Sequence, residues 1–125
     1  MFTKKRKEEI CRQIYINNIF DEFHKKKLYS RKKLITNYQQ ALAMALSISS
    51  NKCLNLNNLK KDYLVNLKVD DLLRLIKTKE LEKMVKQDKY YNDDIKKYKT
   101  KKELYSKYFN KTKFINKLVY HLKHS

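Results

Sequence analysis

The 125-residue chain contains neither glycine nor proline. Gly-rich phosphate loops, dinucleotide-binding fingerprints, nucleophile elbows and EF-hand loops all need glycine at fixed places, so none is present in standard form. Tight β-hairpins rely on Gly or Asn at positive φ, which turns the expectation toward helices. The length allows one domain with a modest core, taken as residues 1–125. Possible sub-units are a basic region at 1–58 and a helical region at 59–125.

Apolar spacing supports this expectation. Ile10, Ile14, Ile16, Ile19, Phe20 and Phe23 fall mostly three or four apart, predicting an amphipathic helix over 4–23 with Thr3 as N-cap. Thr36 and Gln39 fit a capping box opening a second helix, which Asn51 would end in the left-handed conformation. On that helix Tyr38, Leu42, Ala45, Leu46 and Ser49 form one face and Gln39, Gln40, Ala43 and Ser47 the other. Shorter helices are predicted over 59–67 and 69–87, with a phase slip near Thr78. Residues 88–99 read as a polar, tyrosine-bearing connector. Thr100 and Glu103 open a helix through Tyr108, and a last helix runs over 113–123. No region shows sustained period-two alternation. The fold class is all-α, a small bundle of five or six short helices with basic termini.

The formal charge is +18. Lys, Asn, Ile and Tyr, the residues of AT-rich codons, dominate the composition, so part of the lysine excess reflects an AT-rich genome. Against that background the only three alanines, Ala41, Ala43 and Ala45, lie within five residues, directly after the densest basic run. Charge concentrates at both ends of the chain, whereas 59–99 is the most balanced part and is expected to supply core.

Cationic side chains that neutralise phosphates release counterions and bind nucleic acid without reading sequence. The candidate residues are Lys25, Lys26, Lys27, Arg31, Lys32 and Lys33, which flank Tyr29, with Gln39 and Gln40 at the adjoining helix start. Lys4, Lys5, Arg6 and Lys7 form a second cluster, which also fits a nuclear-import signal. Free amides near Thr36 and Asn37 suit a phosphate. With four arginines in the chain, phosphate-dominated binding is favoured over sharp base readout. Tyr90, Tyr91, Tyr98, Tyr105 and Tyr108, interleaved with lysines, are compatible with stacking on single strands, with core use favoured for Tyr105 and Tyr108.

Other chemistries find little support. Cys11, His24, Cys53, His121 and His124 are scattered without metal-ligand spacing, so no metal or other cofactor is expected. The carboxylates pair with local lysines, and no nucleophile and base can be matched, so no enzyme activity is expected. Two cysteines make no disulfide framework, so reduced thiols are expected, with Cys11 a small core residue. No apolar run of about 18 residues exists to span a membrane. The N-terminus lacks the apolar region of a secretory signal. The expected setting is intracellular, without a membrane partner.

Ser30-Arg31-Lys32-Lys33 and Tyr38 through Ser47 resemble a short motif in small basic proteins of giant nucleocytoplasmic DNA viruses. There a basic lead precedes Gln-Ala-hydrophobic-Ala-hydrophobic-Ala-Leu-Ser. The likeness spans about 18 residues of this chain. It implies a virion- or genome-associated protein, placed in the virion, host nucleus or virus factory. Thr100 through Leu104 and Lys111 through Leu118 are similar to the two helices of a SAP-type DNA-binding motif, without the glycine of its turn.

The reading that follows is a non-enzymatic, phosphate-dominated nucleic-acid-binding protein, with DNA favoured over RNA, that packages a genome. The alternative is a protein-interaction or virion-scaffold module, with a protein partner or self-association and no nucleic acid.

Overall fold

The computed structural model describes residues 2–87, 98 and 100–124. Among them lie seven α-helices, one short 3-10 turn and a two-stranded hairpin. The expected all-α class holds. Most of the tyrosine-bearing connector, including Tyr90 and Tyr91, lies outside the described residues.

Helix α1 (Lys4–His24) starts where Thr3 accepts a hydrogen bond from the Arg6 amide. Its buried face is Ile10, Cys11, Ile14, Tyr15 and Ile19, so Cys11 and Tyr15 join the expected isoleucines. Tyr15 Oη donates to the Asn58 carbonyl at 3.0 Å, and Asn18 Nδ2 donates to the Tyr63 carbonyl at 2.7 Å. These bonds tie α1 to the 3-10 turn (Leu56–Asn58) and to α3 (Asp62–Val65). Burial raises the Tyr15 hydroxyl above its ordinary pKa, so it remains a donor at neutral pH.

The chain then forms strands β1 (Tyr29–Ser30) and β2 (Lys33–Leu34), antiparallel, with Tyr29 opposite Leu34 and Ser30 opposite Lys33. The turn between them is Arg31-Lys32, with φ of 49° and 68°. Two consecutive positive φ values mark a type I′ hairpin. Arg and Lys thus occupy positions that normally take Asn or Gly, correcting the expectation that the missing glycine would disfavour such a turn. The Ile35 amide extends the ladder to the Leu28 carbonyl at 2.8 Å. Leu28 and Ile35 point inward and are buried, while Tyr29 and Leu34 point outward and are exposed. This alternation spans too few residues to register as a strand pattern.

Helix α2 (Tyr38–Lys52) is capped by Asn37, whose Oδ1 accepts from the amides of Gln39 and Gln40. The cap lies one residue beyond the expected Thr36, because one Asn carbonyl satisfies two orphan amides. Asn51 does not end the helix in a left-handed conformation: α2 continues to Lys52, and Cys53 caps it with φ −82°. The buried stripe is Ala41, Ala45 and Ser49. Small side chains there let α2 lie close on α1. Leu46 is 51% exposed, so it is not buried with Ala45 and Ser49, whose face it is expected to share.

Beyond α3 come α4 (Val69–Arg74), α5 (Thr78–Lys86), α6 (Lys101–Tyr108) and α7 (Lys111–Lys123). The phase slip near Thr78 is a real break between α4 and α5. Helix α3 is shorter than expected, but Leu59, Leu64 and Leu67 are all buried. Thr100 and Asn110 cap α6 and α7 by accepting from the amides of Glu103 and Lys113.

Two apolar clusters result. The larger joins the first half of α1 to α3 through α7, centred on Leu72, Leu81, Met84, Leu104, Phe114 and Leu118. The smaller joins Ile19 to Leu28, Ile35, Ala41 and Ala45, with Phe20, Phe23 and Met44 packed against it. Helix α1 contributes to both.

The cysteines correct a further expectation. Cys11 on α1 and Cys53 at the end of α2 form a disulfide, with Cα atoms 5.9 Å apart and a separation of 42 positions in sequence. Cys11 is buried in the core as expected, but it is not a free thiol. Periodicity places Cys11 on the inner face of α1, yet nothing local says that the end of α2 arrives there. Closing a loop of this length restricts the unfolded chain by about 4 kcal/mol. Replacing both cysteines with serine is expected to lower stability by about 2–4 kcal/mol, measured by chemical denaturation. An unchanged midpoint would show that the cross-link adds nothing to the packing.

Candidate nucleic-acid interface

The end of α1, the hairpin and the start of α2 bring the main candidates into one stretch of surface. Lys25, Lys26, Lys27, Arg31, Lys32 and Lys33 are all exposed. Lys25 pairs with Asp21 at 2.9 Å. Among the described residues, none of the other five has an ion pair. Lys26 also has positive φ, 57°. The three described non-glycine residues with positive φ are therefore all exposed cations in one run of seven. Leu28 and Ile35 root the hairpin in the smaller core, and Tyr29, 58% exposed, stands outward beside the turn.

Gln39 and Gln40 are exposed on the first turn of α2, next to the hairpin. Their backbone amides are bound to Asn37. The expected free amides for a phosphate near Thr36 and Asn37 are thus already partly filled. Tyr38 packs its ring on Phe20, with centroids 5.5 Å apart.

The second cluster lies elsewhere. Lys4, Lys5, Arg6 and Lys7 are at the other end of α1, which at 21 residues is about 30 Å long. Lys4 and Lys5 are exposed there, and Lys7 is half-buried. Arg6 is not available to a phosphate. Its Nε and Nη2 bond the two oxygens of Glu80 at 2.8 and 2.9 Å, and Nη2 also donates to the Leu75 carbonyl at 3.0 Å. Sequence reasoning missed this because Glu80 is 74 residues away. Burial alone would raise the Glu80 carboxyl. Hydrogen bonds from Arg6 and the Lys77 amide, with the charge of Arg6, outweigh it and hold the carboxyl below its ordinary range.

The C-terminal cations are also partly internal. Lys101 Nζ donates to the Leu73 and Ile76 carbonyls at 2.7 and 3.0 Å, and Lys111 Nζ donates to the Val65 carbonyl at 2.7 Å. Each meets carbonyls at or near a helix C-terminus, where a cation is favoured. Lys113 and Lys117 sit over the Phe109 ring. Tyr105 packs with Phe109 and Phe114, and Tyr98 with Tyr108. These tyrosines build core and its margin, so the described part of the tyrosine series is not laid out as a stacking surface.

Among the described residues, no three His, Cys, Asp or Glu side chains converge as a metal site. His121 is half-buried beside Phe2, and burial holds its imidazole below the ordinary range. No described helix is long and apolar enough to cross a membrane.

Arg6→Ala would leave Glu80 partly buried without its charged partner. The expected cost is about 2 kcal/mol at neutral pH, below the figure for a fully buried pair because both groups keep some solvent contact. Glu80 has a lowered folded-state pKa, so its contribution is present above the ordinary carboxylate range and is lost as pH falls through the lowered value. The stability gap between wild type and Arg6→Ala should therefore shrink in acid, measured by denaturation at pH 7 and across the acid limb. A gap independent of pH would exclude the pair as its source.

Comparison with known protein families, characterised proteins and solved structures finds no match to this chain.

Proposed function

We propose that this protein is a non-enzymatic DNA-binding protein that holds phosphates with the end of α1 and the hairpin. The observation that carries the reading is the conformation of Lys26, Arg31 and Lys32. A non-glycine residue in the left-handed region costs roughly 1–2 kcal/mol, and Asn tolerates it best after Gly. The chain has 11 asparagines, so the cheaper residue is abundant in its composition. Keeping exposed cations there instead costs stability, as strained positions at binding sites often do. The segment that resembles a motif of small basic giant-virus proteins runs through this same hairpin and α2. It supports a role with a viral genome or virion, such as packaging.

A protein-interaction or scaffold role is the second reading. Exposed Leu46 and Leu54, at 51% and 82%, favour it. In that case nuclease-treated protein should self-assemble or retain a protein partner and show no DNA affinity.

Mobility shift with duplex DNA across a salt series separates the two. With six cations engaged, affinity should fall about a thousandfold between 50 and 200 mM salt. No shift at 50 mM would reject DNA binding. Arg31→Asn combined with Lys32→Asn should raise stability by about 1 kcal/mol and weaken DNA binding. Movement of both quantities in the same direction, or unchanged affinity, would count against the hairpin as the phosphate site.

A further inference from the structure

We infer that α2 reads A·T base pairs from the major groove of duplex DNA. This inference rests on the phosphate-binding role proposed for the hairpin. Ala41, Ala45 and Ser49 face α1, so the opposite side of α2 faces solvent. That side presents Gln39, Gln40, Ala43, Ser47 and Ser50. Among the described residues, the Gln39 and Gln40 side chains have no internal hydrogen bond, because the bonds to Asn37 use their backbone amides.

The chemistry of this side matches base edges better than phosphates. A Gln amide pairs in bidentate fashion with adenine N6 and N7, a methyl group packs on the thymine methyl, and a Ser hydroxyl accepts or donates. The side carries no charge of its own, so nothing on it draws it preferentially to the backbone. Charge around it favours DNA. There is no Asp or Glu between Glu22 and Asp62, while basic residues run from Lys25 to Lys33 and recur at Lys52, Lys60 and Lys61. Only three residues separate the hairpin from α2, so phosphates held by Arg31 and Lys32 would seat the first turn of α2 close to the duplex.

The dimensions select the ligand. A helix is about 10–12 Å across, and the B-DNA major groove is about 12 Å wide. The major groove of RNA is too narrow to admit it. Helix α2 is also braced at both ends, by the Asn37 cap and by the Cys11–Cys53 disulfide.

The test uses the full oxidised chain and labelled duplexes of equal length with alternating A·T, G·C or I·C pairs, followed by fluorescence anisotropy. An I·C pair resembles A·T in the minor groove and G·C in the major groove. The A·T duplex should bind about tenfold tighter than the G·C duplex, and I·C should bind like G·C. In the Gln39→Ala/Gln40→Ala double variant the A·T advantage should vanish, with the ratio of A·T to G·C affinity falling to about one. Both positions are exposed and Ala favours helix, so its melting temperature should hold. Reversing charge with Arg31→Glu/Lys32→Glu should weaken all three duplexes alike. Equal binding of A·T and G·C, an I·C duplex bound like A·T, tighter binding of a single strand than of the duplexes, or discrimination that survives the double variant would each overturn the inference. If the charge-reversed variant still loses affinity, the phosphate-binding proposal stands without it. Binding to no probe would overturn both.

Discussion

Burial of α1 from two directions is the constraint on which the other elements depend. Its first half, through Ile10, Cys11 and Ile14, is enclosed by α3 to α7. Its second half, through Ile19 and Phe20, is enclosed by α2 and the hairpin. A helix with a mean composition this polar would not hold alone in water, because helices in proteins owe most of their stability to packing. The close approach of α2 follows from Ala41 and Ala45, whose lack of side-chain bulk brings two backbones together. The disulfide then fixes the far end of α2 to the middle of the larger core. The hairpin depends on the same arrangement, since Leu28 and Ile35 fill the space between α1 and α2.

Net charge describes this surface poorly. Arg6 joins Glu80, Lys101 meets a carbonyl of α4 and one of the α4–α5 link, and Lys111 meets the end of α3. Each is a cation whose favourable contact lies inside the protein. Lys26, Arg31 and Lys32 differ in having exposed side chains, a backbone in the costly left-handed region and no carboxylate partner. A cation that stabilises the fold and one held against the fold's preference count equally in a charge sum. Only their surroundings distinguish them.

Much of the helical plan was legible. Thr3, Thr100 and the breaks near Thr78 and Asn110 are local signals, set by which side chain can reach an orphan amide or by where apolar phase slips. They appear in the structure close to where the pattern places them. The α2 cap moved by one residue because Thr36 and Asn37 are both good caps and adjacent. Leu46 departs from the face it is expected to share with Ala45 and Ser49 for a related reason. A helix with apolar residues on more than one side has several candidate inner faces, and the small Ala41–Ala45–Ser49 stripe was the one that fits against α1.

The sequence by itself determined the fold class, most helix boundaries and the position of the densest basic run, because these follow from interactions among residues a few positions apart. Tertiary structure alone decided which cations remain exposed, which face of α2 looks outward, and that Cys11 meets Cys53. Those outcomes depend on residues 42 and 74 positions apart arriving at one place. It also decided the hairpin, where anchoring of Leu28 and Ile35 forces Arg31 and Lys32 into a turn their own preferences oppose.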